Sequence, residues 1–298
     1  MLYLTYNNTI HKDGAGSQLQ RILSIYMIAK YYGIGYLHNP ILKTTYTYDN
    51  EEENEKYRSM FSYVEEHVDE FNTMFALASD PLDGPIDITY TASVLTKETI
   101  LEILEAENTR EKNVLLACTY GGEVDKTPDL HHIKINYPWI QRSVNDIVHV
   151  AIHIRKGDLS LLSPERVISD DYYIGVLKSL HILLRDAHKK HEFHIYSDGY
   201  FDKEKGIVSY DESNYQQFNV VPNMHYHIGT HPVQSIVQMT NSDILVLSNS
   251  CFSYVPALLK QKGVVLGKPG AHSMAREWIV VNDAYDILWN KLGILSRL

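Results

Sequence analysis

The 298-residue sequence is poor in cysteine and in basic charge. Its two cysteines, Cys118 and Cys251, are too few for a disulfide framework and fit a reducing compartment, and they do not form a close pair of the zinc-binding kind. The formal net charge is −10 at pH 7. This excludes a generic nucleic-acid or anionic-membrane binder, because such proteins need a basic face. It leaves room for a small basic pocket that binds an anionic small molecule.

Long apolar segments are also absent. No run of about 18 apolar residues occurs, so we expect no membrane span. The first residues, MLYLTYNNTIHKDG, lack the basic region and the long apolar region of a signal peptide. Hydrophobic residues make up 44% of the chain and charged residues 21%, as in an ordinary globular protein. We therefore expect a soluble, cytoplasmic protein.

Two common site motifs are missing. The loop GAGSQ has Gly14 and Gly16, but Leu19 stands where the dinucleotide fingerprint needs a third glycine. A dehydrogenase is therefore a distant alternative. The chain has 15 histidines, yet HKKHEFH does not match HExxH, and HYHIGTH shows no carboxylate or cysteine partner. We expect no metal site.

What the sequence does contain is an alternation of strand and helix patterns, which predicts an α/β fold with parallel sheets. The second half alternates most regularly and looks like a nucleotide-binding domain. The proline- and tryptophan-containing segment INYPWIQRSVND is the candidate crossing between two domains. We expect an N-terminal domain over residues 1–140, a C-terminal domain over 141–283, and a last helix, 284–298, that crosses back. A long helix is expected from about Glu53 to Ala78, with its acid run as a solvated helix start.

Polar clusters follow three predicted strands of the second half: HIRKGD, YSDG and LSNSCFS. The carboxyl ends of parallel strands line one crevice, so these clusters can face one ligand. Arg155 offers a planar fork for phosphate oxygens, and the turn from Ser248 to Ser250 precedes a helix whose free amides suit an anion. Together they form a candidate diphosphate cradle. The alternative is that Ser250 only caps its helix.

Two further features have structural alternatives. Asp158 is placed to pair with Arg155 and fix the turn, which supports phosphate binding indirectly. His153 faces the same side of its strand as Arg155, because side chains alternate with period two. Gly14 and Gly16 allow a backbone to approach a ligand closely, or they form a tight turn that caps the next helix.

Four segments resemble motifs of the fucosyltransferases with the two-domain GT-B arrangement, namely the α1,2-, α1,6- and protein O-fucosyltransferases. HIRKGD resembles their HxRxxD motif, and DILVLSNSCFSYVPALL is similar to their late motif, most of all in the α1,2 group. FHIYSD resembles the strand between these motifs, and GAGSQLQ the early Gly-x-Gly-Asn-Gln loop. The matches come in the family's order and span Gly14 to Leu259, although most of the first domain is unmatched.

The resemblance implies two Rossmann-like domains with a donor cleft between them. It also implies an inverting transfer of fucose from GDP-fucose to a glycan hydroxyl, with no metal or other cofactor. Arg155 would hold the donor diphosphate, Asp158 would orient Arg155, and His153 would contact the nucleotide. Asp198 would lie near the nucleobase. The residues expected to bind phosphate or donor in the late motif are Ser248, Asn249, Ser250, Cys251 and Phe252.

The acceptor hydroxyl needs a general base. Asp13, beside the first loop, is the best candidate in the sequence, and His11 is the second. A carboxylate in a loop is more often solvated or a helix cap.

The sequence departs from the family at several positions. Ser17 replaces the typical Asn, Lys156 stands where the α1,2 and α1,6 groups have a second arginine, and Cys251 replaces a threonine. A Golgi anchor is also lacking, as in a bacterial or viral cytosolic enzyme. These departures leave two alternatives open: a glycosyltransferase that uses another UDP- or GDP-linked pentose or deoxyhexose, and a nucleotide-sugar-binding protein without catalysis.

Overall fold

The computed structural model describes residues 1–9, 14–44, 66–75, 77–107, 109–121, 146–157, 159–202, 205, 207–270, 272 and 274–298. The described residues form two compact units, one with those up to residue 121 and the other with those from residue 146 onward. Both contain parallel sheets with helical connections, which confirms the α/β prediction. The expected domain boundary at residue 140 lies outside the described residues and stays a prediction.

The first unit has a four-stranded parallel sheet in the order β2-β1-β4-β3. Its strands are β1 (Leu2–Tyr6), β2 (Gly35–Tyr36), β3 (Ile88–Val94) and β4 (Val114–Tyr120). Its helices are α1 (Ala15–Tyr32), α2 (Val68–Met74) and α3 (Lys97–Ala106). All five residues of β1 are buried, as expected for a central parallel strand that is covered on both faces.

Two helices of this unit begin or end at residues that favour helix termini. Helix α1 ends at Gly33, whose left-handed φ of 63° suits glycine and whose N–H donates to the carbonyls of Ala29 and Lys30. Helix α3 begins at Thr96, whose hydroxyl accepts from the N–H of Thr99. Of the helix expected from Glu53 to Ala78, the structure describes residues 66–75, 77 and 78, and residues 53–65 and 76 lie outside the described residues. The described helix is α2, which ends at Met74 because Phe75 is extended, four residues before the expected end. Strand β3 was not predicted.

The second unit has a six-stranded parallel sheet in the order β12-β11-β10-β5-β6-β9. Its strands are β5 (Ile147–Ile154), β6 (Lys190–Ser197), β9 (Met224–Ile228), β10 (Ile244–Val246), β11 (Val264–Gly267) and β12 (Ile279–Val280), and a separate hairpin joins β7 (Tyr200–Asp202) to β8 (Ile207–Ser209). Its helices are α4 (Leu159–Leu162), α5 (Asp170–Asp186), α6 (Pro232–Asn241), α7 (Cys251–Leu259), α8 (Ala284–Trp289) and α9 (Lys291–Leu295). Two 3₁₀ segments span Pro164–Arg166 and Glu212–Phe218. Numbered within the sheet, the strands follow the order 3-2-1-4-5-6 of the Rossmann fold.

Apolar side chains cover both faces of this sheet, because alternate residues of a buried parallel strand point to opposite sides. One core contains Ile152 and Ile195 from the strands with Val176 and Leu180 from α5. The other contains Ala151, Leu245 and Val265 with Tyr254 and Ala257 from α7.

The C-terminal segment forms two short helices where one was expected. Asp283 begins α8 with a capping box, and Asn290 both ends α8 and precedes α9. Ile287 and Ile294 belong to the core of the second unit. The expected crossing of this segment to the first unit stays a prediction. Within the described ranges, every helix is too short or too polar to cross a membrane.

Candidate functional site

The candidate site lies where the chain order of the second sheet reverses. From β5 the chain proceeds to β6 and β9 on one side, and then returns to β10, β11 and β12 on the other. Ligands of open α/β sheets bind beyond the carboxyl ends of the strands at such a switch point. The ends of β5 and β10 therefore define the crevice, and these are the ends that carry HIRKGD and LSNS.

His153 and Ser248 bridge the two strands at this point. Nδ1 of His153 lies 2.7 Å from the hydroxyl of Ser248, and both side chains are buried. The His153 ring also packs on Phe252, with ring centroids 5.5 Å apart. Burial, with a smaller contribution from the charge of Arg155, lowers the pKa of His153 to about 3. The imidazole is therefore neutral at pH 7 and acts in hydrogen bonding rather than as a charge.

Arg155 is held by Asp198, which follows β6. Nη1 of Arg155 lies 3.2 Å from Oδ2 of Asp198, and these side chains are only 19% and 11% exposed. The other carboxylate oxygen accepts from the backbone N–H groups of Lys156 at 3.2 Å and of Gly157 at 3.3 Å. A Cβ on Gly157 would overlap this carboxylate, so any larger residue would force the Asp198 side chain or the turn to shift. Asp198 thus connects the end of β6 to the turn after β5.

This arrangement bears on two predicted roles. Asp198 pairs with Arg155, which is the role that the sequence assigned to Asp158, and Asp158 lies outside the described residues. Proximity of Asp198 to a nucleobase stays a prediction.

Lys156 does not take the place of a second arginine in the crevice. Its Nζ lies 2.7 Å from each carboxylate oxygen of Asp170, the first residue of α5, and 5.5 Å from the centroid of the Phe218 ring. Gln217 donates to the same carboxylate at 2.9 Å. The lysine is buried, and its ion pair with Asp170 holds the turn after β5 against α5.

The turn after β10 organises the start of α7. Ser250 is the N-cap, and its hydroxyl accepts from the N–H of Phe252 at 3.2 Å. The N–H of Ser248 donates to the hydroxyl of Ser253 at 3.2 Å. The Ser250 side chain therefore caps the helix, as the alternative interpretation expected. A ligand role for Ser248 and Ser250 stays a prediction. The nine-residue helix still directs the positive end of its dipole at the crevice.

Arg166 is a second cation at this turn, and sequence reasoning missed it. Its Nη2 donates to the carbonyl of Asn249 at 3.0 Å, and the Asn249 amide donates back to the carbonyl of Arg166 at 3.2 Å. Its Nε is buried and has no hydrogen-bond partner among the described residues. The segment SPERV gives no signal for this role, because the contact joins residues 83 positions apart.

Cys251 opens α7 beside His272. The Cys251 sulfur lies 3.6 Å from Nε2 of His272, and the His272 ring packs on Tyr254 with centroids 4.8 Å apart. Burial, followed by the charge of Arg166, lowers the pKa of His272 to about 4. The start of α7 therefore carries a thiol and the Phe252 ring, with a neutral imidazole beside the thiol.

The early glycine loop caps the first helix of the first unit. Gly14 is the N-cap of α1 with an extended φ of −63°, which does not require glycine, and Gly16 lies in the first turn. Gln18 donates to the carbonyl of Lys43 at 2.5 Å and accepts from the Tyr6 hydroxyl at 3.3 Å. The helix-cap alternative therefore describes the backbone of this loop, and donor contact by Gly14 and Gly16 stays a prediction. Asp13 and His11 lie outside the described residues.

No family model and no curated protein matches the chain. Among solved structures, the chain is similar to the ADP-heptose LPS heptosyltransferase II of E. coli, with 12% identity and a TM-score of 0.41 over 99% of this chain and 98% of that one. Similarity at this level does not bear on substrate or activity.

Proposed function

We propose that the protein is an inverting, metal-independent glycosyltransferase of the GT-B arrangement that uses a nucleotide-sugar donor and a glycan acceptor. GDP-fucose is the first candidate donor. Another UDP- or GDP-linked pentose or deoxyhexose is the alternative, and a nucleotide-sugar-binding protein without catalysis is the competing class.

One observation carries the proposal. The two segments that resemble fucosyltransferase motifs lie 95 residues apart in sequence, yet His153 and Ser248 join them at the switch point of a Rossmann-type sheet. The arginine of the first motif and the helix start of the second then border one crevice. This is the arrangement that a donor diphosphate needs.

The chemistry follows from the charge that develops during transfer. The acceptor oxygen attacks the anomeric carbon, the bond from this carbon to the diphosphate oxygen breaks, and the nucleoside diphosphate leaves with the electron pair. Its growing negative charge must be stabilised by fixed cations and dipoles. We assign this role to Arg155, to Arg166 and to the amides at the start of α7. Asp198 keeps the Arg155 guanidinium oriented.

The donor identity rests on the motif resemblance. Lys156, which replaces the family's second arginine, is bound to Asp170, and Arg166 brings a guanidinium to the same crevice from another segment. This difference is the specific reason to keep another nucleotide sugar as the alternative donor.

The proton of the acceptor hydroxyl passes to a base, for which we propose Asp13. Asp13→Asn should lower turnover by about 100-fold, in the range of general-base contributions, and leave donor affinity unchanged. Steady-state kinetics with a binding titration measure both quantities. Unchanged turnover would exclude Asp13 and direct the same experiment to His11→Gln.

Product formation tests the proposed function. The full-length protein is incubated in EDTA with GDP-fucose, GDP-mannose or UDP-sugars and a mixture of oligosaccharide acceptors, and products are detected by mass spectrometry. A deoxyhexose-bearing product from GDP-fucose is the expected result. A product from another donor only would support the alternative, and donor binding without any product would establish the non-catalytic class.

A further inference from the structure

A second polar cluster lies on the second sheet, away from the crevice. It consists of side chains from three neighbouring strands, which we call the histidine face: His149, Glu192, His194, His225 and His227. The strand register places His149 beside Glu192, and His194 beside His225. All five belong to the same face, because they occupy alternate positions of strands in parallel register. They are half-buried, except for the exposed His225.

Glu192 is the centre of this cluster. Its Oε1 lies 2.8 Å from Nδ1 of His149 and 3.1 Å from Nε2 of His194. Its Oε2 lies 3.8 Å from Nε2 of His225. One ligand atom from each of His149, Glu192 and His194 falls within 4.8 Å of the other two. Oε1 of Glu192 thus contacts two imidazole nitrogens, and Oε2 faces the imidazole of His225.

These groups are a donor set that zinc prefers. Two histidines and one glutamate are a common zinc ligand set, and bonds of about 2.0–2.1 Å in tetrahedral geometry place ligand atoms about 3.4 Å apart. The three candidate ligand atoms now lie within 4.8 Å of one another, and binding would bring them to these separations. Binding requires the release of ring protons from the two nitrogens that face Glu192, as metal binding to histidine generally does.

The surroundings orient the ligands. Nδ1 of His194 lies 3.0 Å from Nε2 of His227. In the metal-bound form Nδ1 would carry the ring proton and donate it to His227, which leaves the Nε2 lone pair of His194 for the ion. Such a hydrogen bond from the second nitrogen is typical of metal-bound histidines. The His227 ring stacks on Tyr196 with centroids 4.5 Å apart and planes at 9°. The backbone N–H of His149 donates to Asp243 at 2.9 Å.

We propose that His149, Glu192 and His194 form a binding site for a divalent transition-metal ion, with zinc as the first candidate. Nε2 of His225 lies 3.8 Å from the second carboxylate oxygen of Glu192, and His227 is a positioning residue for His194. The ion clamps β5 to β6 near their amino-terminal halves. Glu192 lies six positions before Asp198, or about 20 Å along an extended strand, and we place this site outside the crevice.

The proposal reverses the expectation of no metal site. The sequence shows histidines in HKKHEFH and HYHIGTH without a partner carboxylate in a known spacing. In the structure the partner comes from the neighbouring strand. His149 lies 43 positions before Glu192 and reaches it only through the register of β5 and β6.

Zinc affinity tests the site. Untagged full-length protein is stripped of metal and titrated with Zn²⁺ in competition with a chromophoric chelator, and Co²⁺ is added separately to record the visible absorption of tetrahedral cobalt. We expect one equivalent of Zn²⁺ to bind and the cobalt absorption to appear. Glu192→Gln and His194→Ala should each weaken zinc affinity by at least about 100-fold, and His227→Ala by about 10-fold.

The control is His191→Gln. His191 is the neighbour of Glu192 on the opposite face of β6, where it pairs with His181 at 2.9 Å, so its loss should leave zinc affinity unchanged. Circular dichroism verifies folding, and Glu192→Gln, which keeps side-chain size, serves if His194→Ala fails to fold. Absence of zinc binding at micromolar concentrations, or equal affinity in the wild type and in Glu192→Gln, would overturn the proposal. Donor binding measured on the same preparations separates this outcome from failure of the proposed function.

Discussion

Two carboxylates, Glu192 near the start of β6 and Asp198 just after its end, bind chemically different partners. Asp198 follows the end of β6 and pairs with a guanidinium and two backbone N–H groups. Glu192, near the start of β6, faces three imidazoles. Arginine keeps its charge at every accessible pH, so Asp198 is neutralised by the chain itself. An imidazole nitrogen can either carry a proton or offer its lone pair to a metal ion. The negatively charged Glu192 with its imidazole neighbours is therefore suited to bind a cation. The first carboxylate therefore positions a residue, and the second is proposed as a ligand.

The largest expected effect tests Arg155 at the Asp198 end. Arg155→Ala should lower the transfer rate by at least about 100-fold, the usual result of removing a group that stabilises developing charge. Donor affinity should also fall, and the fold should persist. Arg185→Ala is the matched control, because Arg185 is exposed and pairs only locally with Asp186 in the described contacts. Activity within a few-fold of wild type would remove Arg155 from the diphosphate site.

A glycine substitution tests how tightly Asp198 is held. Gly157→Ala places a Cβ against the Asp198 carboxylate, so we expect a loss of about 1–3 kcal/mol in the free energy of unfolding, as for overpacking elsewhere. Gly293→Ala in α9 is the control, because nothing lies within 4 Å of its added Cβ, and it should be neutral or stabilising. Chemical denaturation measures both variants. Equal stabilities would mean that the turn after β5 accommodates the methyl group easily.

The neutral state of His153 predicts a pH dependence of stability. Burial lowers the pKa of His153 to about 3 in the folded chain, against about 6.5 when unfolded. Between these values the unfolded state binds the extra proton, so stability rises with pH and is lost as the pH falls from about 6.5 towards 3. His153→Gln should reduce the slope of unfolding free energy against pH by about 1.4 kcal/mol per unit in this window. Denaturant titrations from pH 4 to 8 measure the slope; parallel curves for both proteins would show that His153 is charged or mobile.

The smallest expected effect is an absence of coupling between the two carboxylates. Glu192→Gln should change nucleotide affinity by less than about twofold, and Arg155→Ala should leave zinc affinity unchanged, because distant sites with no shared partners act independently. Calorimetric titrations of both ligands on both variants measure this. A cross-effect of tenfold or more would place the histidine face in the function of the crevice.

Individual strands and helices could be predicted from the sequence, whereas contacts between segments that are distant in sequence could not. The strands around Leu4, Ile152 and Ile195 and the helices α1, α5 and α7 follow from apolar periodicity. Strand β3 was missed, although ITYTASV has the β-branched and aromatic residues and the alternation of a strand; even its inward residues are only partly buried at the sheet edge. The split of the last helix at Asn290 is likewise hidden, since asparagine is tolerated inside helices.

The same limit applies to the site. The convergence of HIRKGD and LSNSCFS was predictable, because parallel strand ends share one edge. The Arg155–Asp198 pair, the Arg166–Asn249 exchange and the contacts of Glu192 depend on sheet register and loop path, which the sequence pattern does not contain.

Nucleotide-dependent thermal stabilisation tests the central claim most directly. Wild type and Arg155→Ala are melted in EDTA with GDP, UDP, CDP, GDP-fucose, GDP-mannose and UDP-sugars, so that any loss of zinc affects all samples equally. At about 100 times its dissociation constant, a bound ligand stabilises by about 2.7 kcal/mol. We predict a clear shift of the wild type with GDP and GDP-fucose and its loss in Arg155→Ala; a response to UDP compounds instead would keep the crevice and change the donor. Silence of the wild type across the whole panel would contradict the assignment of this crevice as a nucleotide-sugar site.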